Sequence, residues 1–287
     1  MTEEEKVLCG CGKPNCDHLK ANSDRFLGLA EVYDNSRPPI PPHIIETIIS
    51  YLDHKPRVIV DIGCGTGLST RPWIPYATEK LIGIEPNHEM LEQAKKISNE
   101  PPFYKQAYAH ETGLPDGCAD IVTITQAFHW MDPTAVLAEV NRILAPGGVF
   151  AVVDVEWPPV IPGCWRSERA FEASRDKCEE LLKERKLTPS VKKWSKREHM
   201  NSLRTKAPEG MFDWVREIRL HSEDMGTWKR LVGLLESQGG TKTALNGGVT
   251  REEGLVTALE NISREDMGSE PRKWIWSYTI EIGFKKK

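Results

Sequence analysis

The 287-residue chain has no apolar run near the roughly 18 residues that a membrane-spanning helix needs. No transmembrane helix is therefore expected. Cysteine is scarce: seven residues, an odd number, cannot form the dense bridging of a disulfide scaffold. The opening residues, Met1 to Lys6, are acidic and polar and lack the apolar stretch of an export signal, so the expected compartment is a reducing cytoplasm. Charge of one sign is also missing. Lys and Arg number 38 against 42 Asp and Glu, a net −4 that argues against a nucleic-acid partner. Repeats and low-complexity segments are absent, which excludes collagen, a long coiled coil and a wholly disordered chain.

What is present is unevenly placed. Residues 1–156 carry 13 Lys and Arg against 22 Asp and Glu, whereas residues 157–287 carry 25 against 20. An acidic first part joined to a basic second part suggests two functional layers. Residues 1–24 show little hydrophobic pattern and read as a flexible tail. Behind Pro42, Ile44, Ile45, Ile48, Ile49 and Leu52 recur at helical spacing. Short apolar runs at 57–62, 80–85, 121–125 and 149–155 read as buried strands, with a weaker one before Ala109. Asn87 and Asp132-Pro133 stand where helix starts are expected. Their inner faces are Met90, Leu91 and Ala94 in one case, and Val136, Leu137, Val140, Ile143 and Leu144 in the other. Strands alternating with helices predict a parallel sheet covered on both faces. Beyond Glu156 the rhythm changes to a charged helix over 164–186 and a strand near 212–220. The clearest period of two comes last: Trp274, Trp276, Tyr278, Ile280, Ile282 and Phe284 share one strand face.

The central motif is Asp61-Ile62-Gly63-Cys64-Gly65-Thr66-Gly67, leaving a strand and, by expectation, entering a helix. Alternate glycines let the backbone turn sharply and approach a ligand closely. Leu68 occupies the position where a dinucleotide fingerprint would need glycine, and a phosphate-loop Gly-Lys-Ser/Thr is absent. Asp61 would repel a diphosphate and suits a ligand with an amine and a cationic centre. Glu85 follows at the end of the next strand, near the ~20-residue offset at which a carboxylate meets ribose hydroxyls.

With these residues in order, the chain resembles class I S-adenosylmethionine-dependent methyltransferases over about residues 26–155. The resemblance implies a Rossmann-like, doubly wound α/β fold: a mostly parallel seven-stranded sheet, an antiparallel C-terminal strand and a helical lid insertion. It implies S-adenosyl-L-methionine as cofactor. Asp61, Gly63, Cys64, Gly65, Thr66 and Gly67 would hold the methionine part, Glu85 and Pro86 the ribose, and Met90 the adenine face. Ala109, His110 and Glu111 would meet the adenine edge, where the family usually has an acid in place of His110. Gln126 and Ala127 would lie where the methyl group is presented. The segment Phe26 to Pro41 and the Ala127-Phe128-His129-Trp130 ending resemble the small-molecule branch related to trans-aconitate methyltransferase. Tyr33 and Arg37 would then close over the methionine end.

Methyl transfer from a sulfonium is an in-line displacement, so alignment and exclusion of water are the main demands. A carboxylate acceptor needs no base. For a hydroxyl, amine or thiol, His129 is the candidate, with Tyr33 and Trp130 near the cationic centre. Acceptor contacts are expected from Trp130, Trp157, Trp165 and Arg166, in a lid over 157–230 that follows a cofactor core over 25–156. Residues 231–287 would complete the sheet as helices and a final strand. A small-molecule acceptor methylated at oxygen is the leading expectation, by a monomer or homodimer. RNA, protein, thiol or metalloid methylation and a non-catalytic cofactor-binding regulator are the alternatives. The run Lys192, Lys193, Lys196, Arg197 reads as a solvated face. Cys9, Cys11, Cys16 and His18 depart from paired zinc-binding arms and read as free thiols beside a histidine, with no metal expected.

Overall fold

In the computed structural model, which describes residues 17–97, 102–188 and 190–287, the apolar runs become strands in the expected order. The elements are α1 (Asp17–Asp24), α2 (Ala30–Ser36), α3 (Pro42–Ile49), β1 (Val58–Ile62), β2 (Lys80–Glu85), α4 (His88–Ile97), β3 (Phe103–Gln106) and β4 (Ala119–Thr125). They continue as α5 (Pro133–Ile143), β5 (Leu144–Val155), α6 (Trp165–Glu184), α7 (His199–Thr205), β6 (Phe212–Gly226), α8 (Trp228–Glu236), α9 (Gly239–Asn246), α10 (Val256–Met267) and β7 (Arg272–Lys285).

The seven strands form one sheet in the order β3-β2-β1-β4-β5-β7-β6. β1 to β5 pair in parallel, and β7 runs antiparallel to both β5 and β6. Alternation along each strand sorts two cores. Ile59, Ile121, Val149, Ala151 and Val153 face α3, α6, α8 and α10, together with Trp274, Trp276, Tyr278, Ile280 and Ile282 of β7. Val60, Val122, Ile124, Phe150 and Val152 face α5 and α7 on the other side. The expected fold class, antiparallel C-terminal strand included, is the observed one.

Capping follows the sequence. Asp132 Oδ1 accepts from the backbone N–H groups of Thr134 and Ala135, and Asn87 Oδ1 accepts from Met90 N. The helix expected after the glycine loop does not form. Residues 71–73 make a single 3₁₀ turn instead. Pro72 and Pro75 lack the N–H groups that a continuing helix would use, and Pro75 would crowd the turn before it.

Two expected segment boundaries change. The tail over 1–24 gives way by Asp17 to a helix, because Asn22 has partners far away in the chain. Its amide donates to the carbonyls of Trp130 and Lys192 at 2.9 and 2.7 Å and accepts from Lys192 N at 3.0 Å. Cys9, Cys11 and Cys16 lie outside the described residues. The segment 157–230 is not helical throughout: α6 packs on the sheet, residues 190–206 cross to its other side, and β6 extends the sheet as its outer strand.

Candidate active site

Three adjoining cavities open at the carboxyl ends of β1, β2, β4 and β5, the edge at which open α/β sheets bind ligands. The first, about 1060 Å³ with its mouth, is lined by Gly63, Gly65, Glu85, Pro86, Met90, Ala109, His110, Gln126, Ala127 and Trp130, among others. Gly63 and Gly65 adopt φ values of 73° and 55°. A Cβ on Gly63 would lie 2.7 Å from Ala127 Cβ, whereas one on Gly65 would meet nothing within 4 Å. One glycine therefore permits packing and the other leaves the cavity open.

Glu85 stands beside this opening. Its Oε2 accepts from Gly65 N at 3.0 Å and its Oε1 from Asn87 N at 2.8 Å. Burial pushes its carboxyl up to about 7, against the pull of those two N–H groups. Each carboxylate oxygen has a further lone pair for a ligand hydroxyl. Asp61 lies outside the cavity lining. It accepts from Ser69, Thr70 and Thr123 hydroxyls, and burial raises it to about 6, so it secures the loop from behind. Gly67 and Thr66 are also loop supports. Tyr104 occupies the space a Cβ on Gly67 would need, and Thr66 donates to Asp34, which also pairs with Arg71 at 3.0 Å.

At the far end of the cavity His110 stacks on Tyr108 at 5.7 Å, while Glu111 is exposed and outside the lining. Asp132 lines this end instead, a residue whose sequence signal was only that of a helix cap. The roof is α1: His18, Leu19, Asn22 and Ser23, joined by Phe26. Nothing in the hydrophobic pattern of residues 17–24 marks this role.

The second cavity, about 460 Å³, shares Tyr33, Gly63, Thr125 and Gln126 with the first and adds Arg37, Cys64, Trp157 and Tyr278. Cys64 is otherwise packed with Leu91, Ala94 and Tyr104. Arg37 does not swing freely. Its guanidinium lies 3.9 Å over the Tyr33 ring and donates to Ser237 Oγ and Ser237 O at 3.0 and 2.7 Å.

The third cavity, about 1020 Å³, is cationic. Arg25, Arg37, Arg175, Lys193 and Lys196 line it against Glu156 and Glu179, with His129, Trp130 and Trp157. His129 therefore faces this chamber. Burial, reinforced by Lys196, holds its pKa well below the usual histidine range, and its Nδ1 has no partner among the described residues. Trp165 and Arg166 do not join the chamber. They sit at the start of α6, Trp165 64% exposed and Arg166 paired with Glu265 at 3.2 Å. Lys193 and Lys196, read from sequence as solvated, line it instead.

Gln126 borders all three cavities. Its φ of 54° turns the chain at the end of β4. Its Oε1 accepts from Trp157 Nε1 at 3.1 Å and Lys196 Nζ at 2.9 Å, and its Nε2 donates to Val155 O at 3.1 Å. Behind Lys196 lies a buried polar group. Asp154 contacts Lys196 Nζ at 3.1 Å and His199 Nδ1 at 2.8 Å. Burial opposes ionisation of Asp154, but His199 and Lys196 outweigh it and hold the carboxyl well below the usual range. Glu281, nearby on β7, is pushed up to about 8 by burial and by Asp154 and Glu217.

This arrangement has the architecture of class I methyltransferases, and the sequence comparisons agree. Residues 60–152 match the Methyltransferase domain family. A Dictyostelium discoideum protein named as a methyltransferase is 33% identical over 129 residues, 45% of this chain and 48% of that protein. A probable S-adenosylmethionine-dependent methyltransferase of Saccharomyces cerevisiae is 33% identical over 125 residues, 42% of this chain and 43% of its own. The chain thus spans about half the length of these relatives. A solved structure from Anaeromyxobacter dehalogenans, named as a type II methyltransferase, has a TM-score of 0.63 at 22% identity, covering 86% of this chain and 97% of that one. That likeness extends the fold well beyond the residues matched by the family. The resemblance to class I methyltransferases read from the glycine loop is upheld; the trans-aconitate branch is not singled out. No helix among the described residues is long and apolar enough to cross a membrane.

Proposed function

We propose that the protein transfers the methyl group of S-adenosyl-L-methionine to a small anionic acceptor, at a carboxylate oxygen. The observation that carries this reading is the meeting, at Gln126, of a cavity suited to an adenosyl ligand with a chamber lined by five cations. The first cavity fits the cofactor on three counts: the unfilled space above Gly65, the free lone pairs of Glu85, and the apolar wall of Met90 and Ala109. In the second cavity, Tyr33 and Arg37 would border the methionine end.

The cofactor, when bound, would supply a sulfonium-activated methyl group open to in-line displacement. The protein's part is placement. Glu85 would hold the ribose hydroxyls, α1 would exclude water, and Trp130 would wall both sides of the transfer axis. The chamber cations would hold the acceptor anion with one carboxylate oxygen aimed through the gap beside Gln126. A carboxylate held in this way would need no base, so no residue of the chain would have to take a proton. Neutral His129 would accept a proton if the acceptor presented a hydroxyl instead.

Purified protein incubated with methyl-labelled cofactor and a metabolite extract tests this. The expected product releases its label on mild base treatment, as a carboxyl methyl ester does. Label held only in base-stable amine or thioether products would refute the oxygen assignment.

A further inference from the structure

The five cations of the acceptor chamber are not equivalent. Arg25 is paired with Glu179 at 2.8 Å, and Arg37 is bound to Ser237. Arg175 is bonded to Asp176 at 2.9 Å and to the Trp157 carbonyl at 3.3 Å. Lys193 lies 5.2 Å from the Trp130 ring centroid. Lys196 alone among the five bridges the wall between the cofactor cavity and the chamber, reaching Gln126 Oε1 at 2.9 Å and Asp154 Oδ1 at 3.1 Å.

We propose that Lys196 is the residue that orients the acceptor, with Asp154 and His199 as its positioning residues. The inference rests on the proposed methyl transfer and names the group that aims the acceptor. An ammonium has three N–H donors. One is committed to Gln126 Oε1, the ammonium is held against Asp154 Oδ1 as an ion pair, and donor capacity is left for an anionic oxygen in the chamber. Lys196 keeps a side-chain exposure of 30%, whereas Asp154 is 6% exposed and His199 2%. The buried partners are thus fixed and the ammonium is presented. His199 Nδ1 occupies Asp154 Oδ2 at 2.8 Å, which leaves Oδ1 for the lysine. Asp154 lies near the end of β5 and Gln126 just beyond β4, so two neighbouring strands set the ammonium's position. A flexible lysine stem held at two points loses the freedom that otherwise makes it a poor aiming device.

The test uses the full chain loaded with S-adenosylhomocysteine. Benzoate, maleate and tricarballylate are the one-, two- and three-carboxylate probes, read by tryptophan fluorescence; methyl-labelled cofactor reports turnover of each. Lys196→Met should weaken binding of the anion that the parent binds by about tenfold or more, as expected for loss of a charged partner. Its acceptor KM should rise, while cofactor affinity changes by less than about threefold, because Gln126 Oε1 keeps its bond from Trp157. Lys196→Arg should restore anion binding but not kcat, since a longer, planar cation places the oxygen differently. The double variant Lys196→Met/Asp154→Asn removes the charge that the single change leaves unpaired. It should reproduce the binding loss in a protein whose thermal melt matches the parent. If the parent binds and methylates one of the probes while Lys196→Met and Lys196→Met/Asp154→Asn both match it within twofold, the role of Lys196 is refuted and the methyl-transfer reading stands. If the parent neither binds nor methylates any of the three, the anionic-acceptor reading falls, and the Lys196 proposal with it.

Discussion

The cofactor cavity and the acceptor chamber meet at Gln126, yet they are assembled differently. The cofactor cavity draws its floor from consecutive strand ends and their loops: Gly63 and Gly65 after β1, Glu85 at the end of β2, Gln126 after β4. The chamber draws on pieces from Arg25 to Thr241, none longer than a few residues. The first is mainly apolar with one raised carboxyl. The second gathers five cations around a neutral histidine. A fixed ligand needs a fixed loop, whereas an acceptor site can be composed from whatever elements border the exit of the methyl group.

The largest expected effect breaks the cofactor side. Gly63→Val puts a branched side chain at a φ of 73° and against Ala127 and Met131. Strain and overpacking together should cost about 2–4 kcal/mol of stability. Cofactor binding should be lost in whatever fraction remains folded. Calorimetric titration of the refolded variant checks this; retained micromolar binding would mean that the loop does not line the ligand.

Next in size is Glu85→Ala, which should weaken cofactor binding by about 1–3 kcal/mol and leave anion binding in the chamber unchanged. The same residue predicts a pH dependence. Its carboxyl is raised to about 7 in the ligand-free protein. Ribose hydroxyls donate to the ionised form, so cofactor affinity should climb as pH rises through 7 and level off above it. Glu85→Gln should flatten that slope. A parent profile flat between pH 6 and 8 would show that Glu85 does not meet the ligand. Folding has the opposite sign: a carboxyl raised in the folded state stabilises it at low pH, and that contribution is lost as pH rises towards 7. Glu281, raised to about 8, should extend the loss of stability to about that pH, and Glu281→Gln should remove that part of it, as seen in melting temperature against pH.

A smaller effect tests the roof. Deleting residues 1–24 should raise the cofactor Kd by about three- to thirtyfold, since Asn22 is tied to Trp130 and Lys192, and His18, Leu19, Asn22 and Ser23 line the cavity. Unchanged affinity in the deletion would return this segment to the status of a tail.

The contrast between the two regions also explains what could be read in advance. The strands of the parallel core, the caps at Asn87 and Asp132, Gly63, Gly65 and Glu85 were legible because each is local: a backbone conformation, a helix start or a strand-end acid leaves its mark within a few residues. β7 was legible for the same reason, from its period of two. The absent helix after the glycine loop follows from Pro72 and Pro75, whose veto outweighed the motif's usual continuation. Residues that act through distant partners were illegible. Asp61 reads like a ligand contact but is consumed by Ser69, Thr70 and Thr123. Arg37 is consumed by Ser237, 200 positions away. Lys196 reads as surface charge, because neither Asp154 nor Gln126 is near it in sequence.

The smallest expected effect marks where the chamber stops. Trp165 and Arg166 carry residue types suited to flat or anionic ligands, and they follow β5 closely in sequence. Their side chains nevertheless belong to the outer surface at the start of α6. Trp165 is 64% exposed, and Arg166 is engaged by Glu265, itself 71% exposed. An exposed ion pair of this kind is worth at most about 1 kcal/mol, and truncating an exposed tryptophan removes little packing. Trp165→Ala and Arg166→Ala should therefore leave acceptor kcat/KM within about twofold of the parent and cofactor affinity unchanged. Trp157→Ala, eight residues earlier, should lower acceptor kcat/KM by about tenfold, because Trp157 lines the chamber and holds Gln126 Oε1. Steady-state kinetics on the identified acceptor separates the two positions. A tenfold loss at Trp165 equal to that at Trp157 would mean that the chamber reaches the start of α6, and that its cationic wall is only part of the acceptor surface.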